Sequence, residues 1–147
     1  MSQSAKILRV LVATIALSTA AGCALLAPSP PEMAGAWYQI YFDTDSLVVN
    51  ARGQIIVNNI AFIAASNAAM RVTVIGKTDR VGAAPANMAL SKQRADTVRD
   101  SLIAAGVPAA RIDTTWTGEG SQEVATANDA SERRNRVVDV TVGKEAF

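Results

Sequence analysis

The sequence predicts an α+β fold, a two-layer sandwich in which two helices pack on one face of a four-stranded sheet. The chain has 147 residues, which allows one domain. Two segments carry apolar residues at helical spacing, and four shorter ones alternate in the manner of strands. The order is β-α-β-α-β-(turn)-β, and the roughly 110 residues from Ala36 to Lys144 are enough for a core of their own.

The first half of the domain supplies a strand, a helix and a second strand. Residues 37–43 place Tyr38, Ile40 and Phe42 on one face. Residues 50–66 repeat isoleucine at i, i+4 and i+7, which predicts a helix. Residues 70–75 form a strand, with valines at 72 and 74 facing the helices. A polar loop is predicted over residues 76–84.

The second half begins with a helix from Pro85 to about Ala105, because proline suits a first helical turn and Gly106 and Pro108 stop the pattern. A strand over residues 112–117, a long loop over 118–130, a turn over 131–136 and a strand over 137–142 follow. The last strand alternates valines at 138, 140 and 142, which are expected to face the core.

Residues 1–22 have the anatomy of a secretory signal peptide. Lys6 and Arg9 precede an apolar run over residues 10–17, and small residues follow it. The run is far shorter than the roughly 20 residues that a membrane-spanning helix needs. We therefore expect export of the domain from the cytoplasm.

The single cysteine, Cys23, stands where the small residues end. The segment 20–23 resembles the lipobox of bacterial lipoproteins, which implies a lipidated, palmitate-bearing Cys23. Ala24, in place of the aspartate that favours the inner membrane in enterobacterial lipoproteins, implies the outer membrane. A plain signal peptide with an incidental cysteine is the alternative. Residues 23–35, with three prolines, are predicted to be a tether, and residues 36–147 the domain.

Composition excludes several classes of function. The chain contains no histidine, so the commonest zinc ligand and general base are both missing, and one cysteine cannot form an internal disulfide. The formal charge of +1 becomes −1 without residues 1–22, with 12 basic against 13 acidic side chains, which argues against nucleic-acid binding. No cofactor or metal site is predicted.

The most informative stretch runs from Gly76 to Ala95. At about 100° per residue, Asn87, Ser91 and Arg94 share one edge of the second helix. Asp79 lies in the loop that leads into this helix, so its carboxylate can approach the Arg94 guanidinium. Such a pair is suited to a small zwitterion, whose ammonium meets the carboxylate and whose carboxylate meets the guanidinium. A plain structural ion pair between Asp79 and Arg94 is equally consistent with the spacing.

This stretch resembles the G-H-T-D-x-x-G-x-x-x-x-N-x-x-L-S-x-x-R-A signature of the OmpA-like peptidoglycan-binding domain family. The matching residues are Gly76, Thr78, Asp79, Gly82, Asn87, Leu90, Ser91, Arg94 and Ala95. Further similarities are residues 41–46 at the first strand end, Gly106-Val107, Arg111-Ile112, Gly118-Glu119 and Asn135-Arg136. The resemblance spans about Trp37 to Val142.

The resemblance implies binding of the diaminopimelate residue in the peptidoglycan stem peptide. Asp79 would accept the ligand ammonium, Arg94 would bind its carboxylate, and Asn87 would hold ligand or loop. Asp43 and Arg136 match further positions that line the groove. Two departures stand out, Lys77 where the family has histidine and Val137 where it has a second arginine; we expect Lys77 to be solvated.

Together these features predict a non-enzymatic outer-membrane lipoprotein whose periplasmic domain tethers the membrane to the wall of a Gram-negative bacterium. A peptidoglycan hydrolase is an alternative, with Asp43 and Asp45 or Glu119 and Glu123 as an acid/base pair, but these carboxylates match no catalytic motif. A lipoprotein whose main partner is another envelope protein is the third possibility.

Overall fold

The computed structural model describes residues 35–144. Its elements are β1 (Ala36–Tyr41), α1 (Ala51–Ser66), β2 (Arg71–Lys77), α2 (Ala84–Ala104), β3 (Ile112–Gly118) and β4 (Val137–Gly143), with short 3-10 turns at Ala109–Arg111 and Arg133–Asn135. The predicted α+β class and element order are confirmed. The predicted signal peptide and nearly all of the predicted tether lie outside the described residues.

The four strands form one mixed sheet in the order β1-β4-β2-β3. β4 is antiparallel to both of its neighbours, whereas β2 and β3 are parallel and are joined through α2. β2 therefore lies inside the sheet next to the last strand of the chain. The loops that follow β1, β2 and β3, and the turn that precedes β4, consequently gather at one end of the sheet.

The core lies between the two helices and one face of the sheet. The valines at 72, 74, 138, 140 and 142 are fully buried there, as the strand pattern predicts. On α1, Ile60 is fully buried but Ile56 and Ile63 only partly, since Val57 and Ala64 complete the buried stripe. Asn50 is the N-cap of α1, because its Oδ1 accepts a hydrogen bond from the Gly53 N–H at 2.9 Å.

Two strand ends differ from the prediction by two residues. β1 ends at Tyr41, two residues early, and β2 continues through Gly76 and Lys77, which the pattern assigned to a polar loop. Lys77 is 8% exposed instead of solvated. Its ammonium lies 2.6 Å from Asp139 and also pairs with Glu123. Burial alone would lower the pKa of Lys77, but the bonds to Asp139 and Glu123 outweigh it and raise the pKa above the ordinary value.

Neither α1 nor α2 combines the length and the apolar composition of a membrane-crossing helix, and the same holds for the rest of residues 35–144.

Candidate functional site

Asp79 lies directly beyond the end of β2 and is 6% exposed. Its Oδ2 accepts a hydrogen bond from Arg136 Nη1 at 2.9 Å, and longer ones from the Glu132 N–H at 3.3 Å and the Ser131 hydroxyl at 3.4 Å. All three donors go to the same oxygen. The carboxylate is thus fixed in place by the turn before β4, while none of these donors is spent on its Oδ1.

Arg94 projects from the middle of α2 and is fully buried. Its Nη2 donates to the Asp43 carbonyl at 2.9 Å and its Nε to the Ser46 carbonyl at 3.1 Å, and the guanidinium carbon lies 5.2 Å from the centre of the Phe42 ring. Its Nη1 is buried and finds no hydrogen-bond acceptor within the described part of the chain. Such an unsatisfied donor costs about 1–3 kcal/mol, more when charged.

Asp79 and Arg94 interact electrostatically although no hydrogen bond or ion pair joins them. Burial lowers the pKa of Arg94, and Asp79 is the strongest of the charges that oppose this shift, while Arg136 adds to it. No ion pair joins Asp79 to Arg94 in residues 35–144, since Asp79 pairs instead with Arg136. The structural ion pair that the spacing left open is therefore absent, and the Arg94 fork remains incomplete.

Asn87 and Ser91 hold the loop that follows β3. Asn87 Nδ2 donates to Glu119 Oε2 at 2.6 Å, so Asn87 holds the loop in this structure. The Ser91 hydroxyl accepts the Gly118 N–H at 3.0 Å and donates to the Met88 carbonyl at 2.8 Å. The shared polar edge of α2 therefore faces the protein, where it joins the helix to the loop after β3.

Of the remaining predicted residues, Asp43 and Arg136 lie beside Arg94 and Asp79, respectively, and Cys23 is not among the described residues. Asp43 contributes its backbone carbonyl to Arg94, whereas its side chain is exposed. The Arg136 side chain is 11% exposed and bridges Asp79 and the Ser131 hydroxyl, the latter at 2.9 Å. Cys23, the predicted lipidation residue, lies outside the described residues.

Sequence reasoning missed Ser46, Ser131 and Glu132. Ser46 and Glu132 act here through a backbone carbonyl and a backbone N–H, for which a side-chain pattern carries no signal. Ser131 does contribute its hydroxyl, but a serine in a polar loop has no distinguishing spacing.

Comparison with known proteins gives consistent results. The OmpA family matches residues 41–137. The chain is 33% identical over 103 residues to "Probable lipoprotein YiaD" of Escherichia coli (strain K12), covering 70% of this chain and 47% of that protein. It is 35% identical over 107 residues to "Outer membrane porin F" of Pseudomonas fluorescens, covering 73% of this chain and 33% of that protein. The chain thus spans about half or less of these two relatives.

Among solved structures, the peptidoglycan-associated lipoprotein from Burkholderia pseudomallei superposes with a TM-score of 0.66 at 29% identity. The match covers 71% of this chain and 88% of that one. The OmpA-like domain of FopA1 from Francisella tularensis gives the same TM-score at 21% identity and shares the fold.

Proposed function

The chain belongs to the OmpA family, and on that premise we propose that it is a non-enzymatic envelope lipoprotein whose domain binds the diaminopimelate-containing stem peptide of peptidoglycan. A lipid on Cys23 would hold the outer membrane and the domain would hold the wall. The names of two relatives support this interpretation, since one is a probable lipoprotein and another a peptidoglycan-associated lipoprotein.

The observation that carries the proposal is the incomplete guanidinium of Arg94. Two of its nitrogens are held by backbone carbonyls, which orient the group, and the third is buried without an acceptor in the described residues. A ligand carboxylate would supply that acceptor. Its bond to a charged donor is typically worth about 1.5–3 kcal/mol.

Asp79 would receive the other end of the zwitterion. Because the three donors from the β4 turn all go to Oδ2, Oδ1 can accept a ligand ammonium. Arg136 would then fix the carboxylate, Asn87 would hold the loop through Glu119, and Asp43 would present its exposed carboxylate at the rim. An ammonium and a carboxylate on one carbon, as at the side-chain end of diaminopimelate, match these two groups.

The test is co-sedimentation of the purified full-length chain with sacculi, with free diaminopimelate as competitor. Asp79→Asn removes the negative charge and keeps the shape of the side chain. Arg94→Lys keeps the positive charge but loses the planar set of guanidinium donors. Each should weaken binding by about tenfold or more, since 1.4 kcal/mol corresponds to a factor of ten. Asp113→Asn is the matched control, because Asp113 also pairs with an arginine, Arg71, but on a partly exposed surface.

Unchanged sacculus binding by both site variants, with unfolding free energies like that of the wild type, would exclude this site.

Release of muropeptides by the wild type and its loss in Asp43→Asn would instead establish a hydrolase. Movement of Cys23→Ser from the membrane to the soluble periplasmic fraction would support the anchor, and unchanged fractionation would refute it. In-cell cross-linking that traps chiefly a protein would favour the protein-interaction alternative.

A further inference from the structure

A cavity of about 180 Å³ lies beside β1, the start of α1 and the turn Arg133–Asn135. None of Asp79, Arg94, Asn87 and Arg136 lines it, so it is separate from the candidate site described above. Among the described strands, β1 lies at the edge of the sheet and pairs with β4 alone. Gln39, Ile40 and Tyr41 of this strand line the cavity, whose volume is enough for a small polar group.

Within residues 35–144, three arginines and no carboxylate line this cavity. They are Arg52 at the start of α1 and Arg133 and Arg134 in the turn before β4. Tyr41 and Gln39 also line the cavity, and the Tyr41 hydroxyl donates a hydrogen bond to the Gln39 side-chain oxygen. A concave site that holds cations of one sign raises the local concentration of anions.

The three cations are not equally compensated. Arg134 pairs with Glu132 at 3.2 Å. The Arg133 guanidinium lies 5.9 Å from the centre of the Tyr41 ring, a contact that orients the cation without neutralising it. The Arg52 side chain has no ion pair or hydrogen bond to any described residue. Two positive charges thus face this cavity without a matching negative charge in its lining.

We propose that this cavity binds a phosphate monoester, held by Arg52 and Arg133 and supported by Arg134. A phosphate monoester carries about −1.5 to −2 charges at neutral pH, which matches the two uncompensated guanidinium groups. Arginine presents planar, permanently charged donors that suit phosphate oxygens. Asn50, which also lines the cavity, uses its Oδ1 to cap α1, so its amide nitrogen would be a further donor to the phosphate.

The test is titration of the full-length chain with inorganic phosphate and with glycerol 3-phosphate, followed by calorimetry. Saturable binding is expected below about 10 mM, the millimolar range of weak sites. Arg52→Gln or Arg133→Gln should weaken it at least tenfold, and the double variant should abolish it. Arg99→Gln is the matched control, because Arg99 lies on α2 and pairs with Asp100; it should bind as the wild type does.

The pH dependence gives a second readout. Binding of glycerol 3-phosphate should tighten between pH 5 and 8, because the ester loses its second proton with a pKa of about 6 while the arginines stay charged. Capture by vesicles containing phosphatidic acid, and not by phosphatidylcholine vesicles, would identify a lipid headgroup as the source if it is lost in the double variant. Capture by neither vesicle, measured on Cys23→Ser so that no acyl chain inserts into the bilayer, would point to a soluble phosphate monoester.

Absence of saturable binding of either phosphate to the wild type would overturn the proposal. So would equal binding by the wild type and the double variant. Neither result bears on sacculus binding, which the proposed function assigns to Asp79 and Arg94.

Discussion

Replacement of Gly76 by alanine tests a close approach between β2 and α2, the helix that carries Arg94. A Cβ built at Gly76 would lie 2.0 Å from the backbone oxygen of Ser91 and 3.1 Å from the Ala95 Cβ. Ordinary van der Waals contacts of a Cβ begin at 3.4 Å, so β2 and α2 would have to separate by roughly 1.4 Å. The obstacle is helix backbone, which cannot rotate away as a side chain would.

The expected cost follows from this geometry. Overpacking of a core costs about 1–3 kcal/mol, and a collision with rigid backbone belongs at the upper end. The alanine also restricts the unfolded chain, which returns about 0.4–1 kcal/mol. We therefore expect Gly76→Ala to lower the free energy of unfolding by roughly 2–3 kcal/mol in urea titrations. Because α2 carries Arg94, sacculus binding should fall as well.

Gly82→Ala is the control for backbone strain alone. Gly82 has φ +87°, and a methyl group added there would meet nothing within 4 Å, so its cost is conformational, about 1 kcal/mol. A loss at Gly76→Ala no larger than that of Gly82→Ala would refute the tight contact between β2 and α2.

Two other substitutions test the buried ion pair and the helix start. Lys77→Met should lower the free energy of unfolding by about 3 kcal/mol at pH 7, because it leaves Asp139, 6% exposed, without its ammonium. Since the pKa of Lys77 is raised above 10.5, its contribution is complete below that pH and lost above it, so the difference from wild type should shrink as urea titrations move to higher alkaline pH; a constant difference would contradict this. Asn50→Ala should cost about 1 kcal/mol through loss of the α1 cap, and a urea midpoint equal to that of the wild type would contradict the capping role.

The fold was predictable because its apolar periodicities are local. Alternating valines in β2 and β4 and the isoleucine spacing in α1 identify the core faces without any knowledge of distant contacts. The end of β2 was not predictable in this way. Gly76 and Lys77 have the composition of a polar loop, but they remain in the sheet because Asp139, 62 positions later, neutralises the lysine across the adjacent strand.

For the candidate site, the sequence predicted on which elements Asp79 and Arg94 lie, and no more. Spacing placed Asp79 in the loop and Arg94 on the helix, but not what each one contacts. Asp79 is held by Arg136, 57 residues away, and Arg94 by two backbone carbonyls after β1. Carbonyls carry no side-chain signature, so no single-sequence pattern reveals that the guanidinium is oriented by the Asp43–Ser46 turn.

The groups that orient Asp79 and Arg94 are not the groups that would be displaced by a ligand. If Asp79 and Arg94 were paired with each other, a ligand would have to break a buried ion pair before binding, and removing one partner of such a pair costs about 3–5 kcal/mol. Instead Arg136 pairs with the Asp79 carboxylate, and two backbone carbonyls accept hydrogen bonds from the Arg94 guanidinium. Nη1 of Arg94 has no acceptor among the described residues, and a buried donor without an acceptor is destabilising, so a ligand carboxylate that bonds to it should stabilise the domain. Diaminopimelate should therefore raise the melting temperature of the wild type and leave that of Arg94→Lys unchanged.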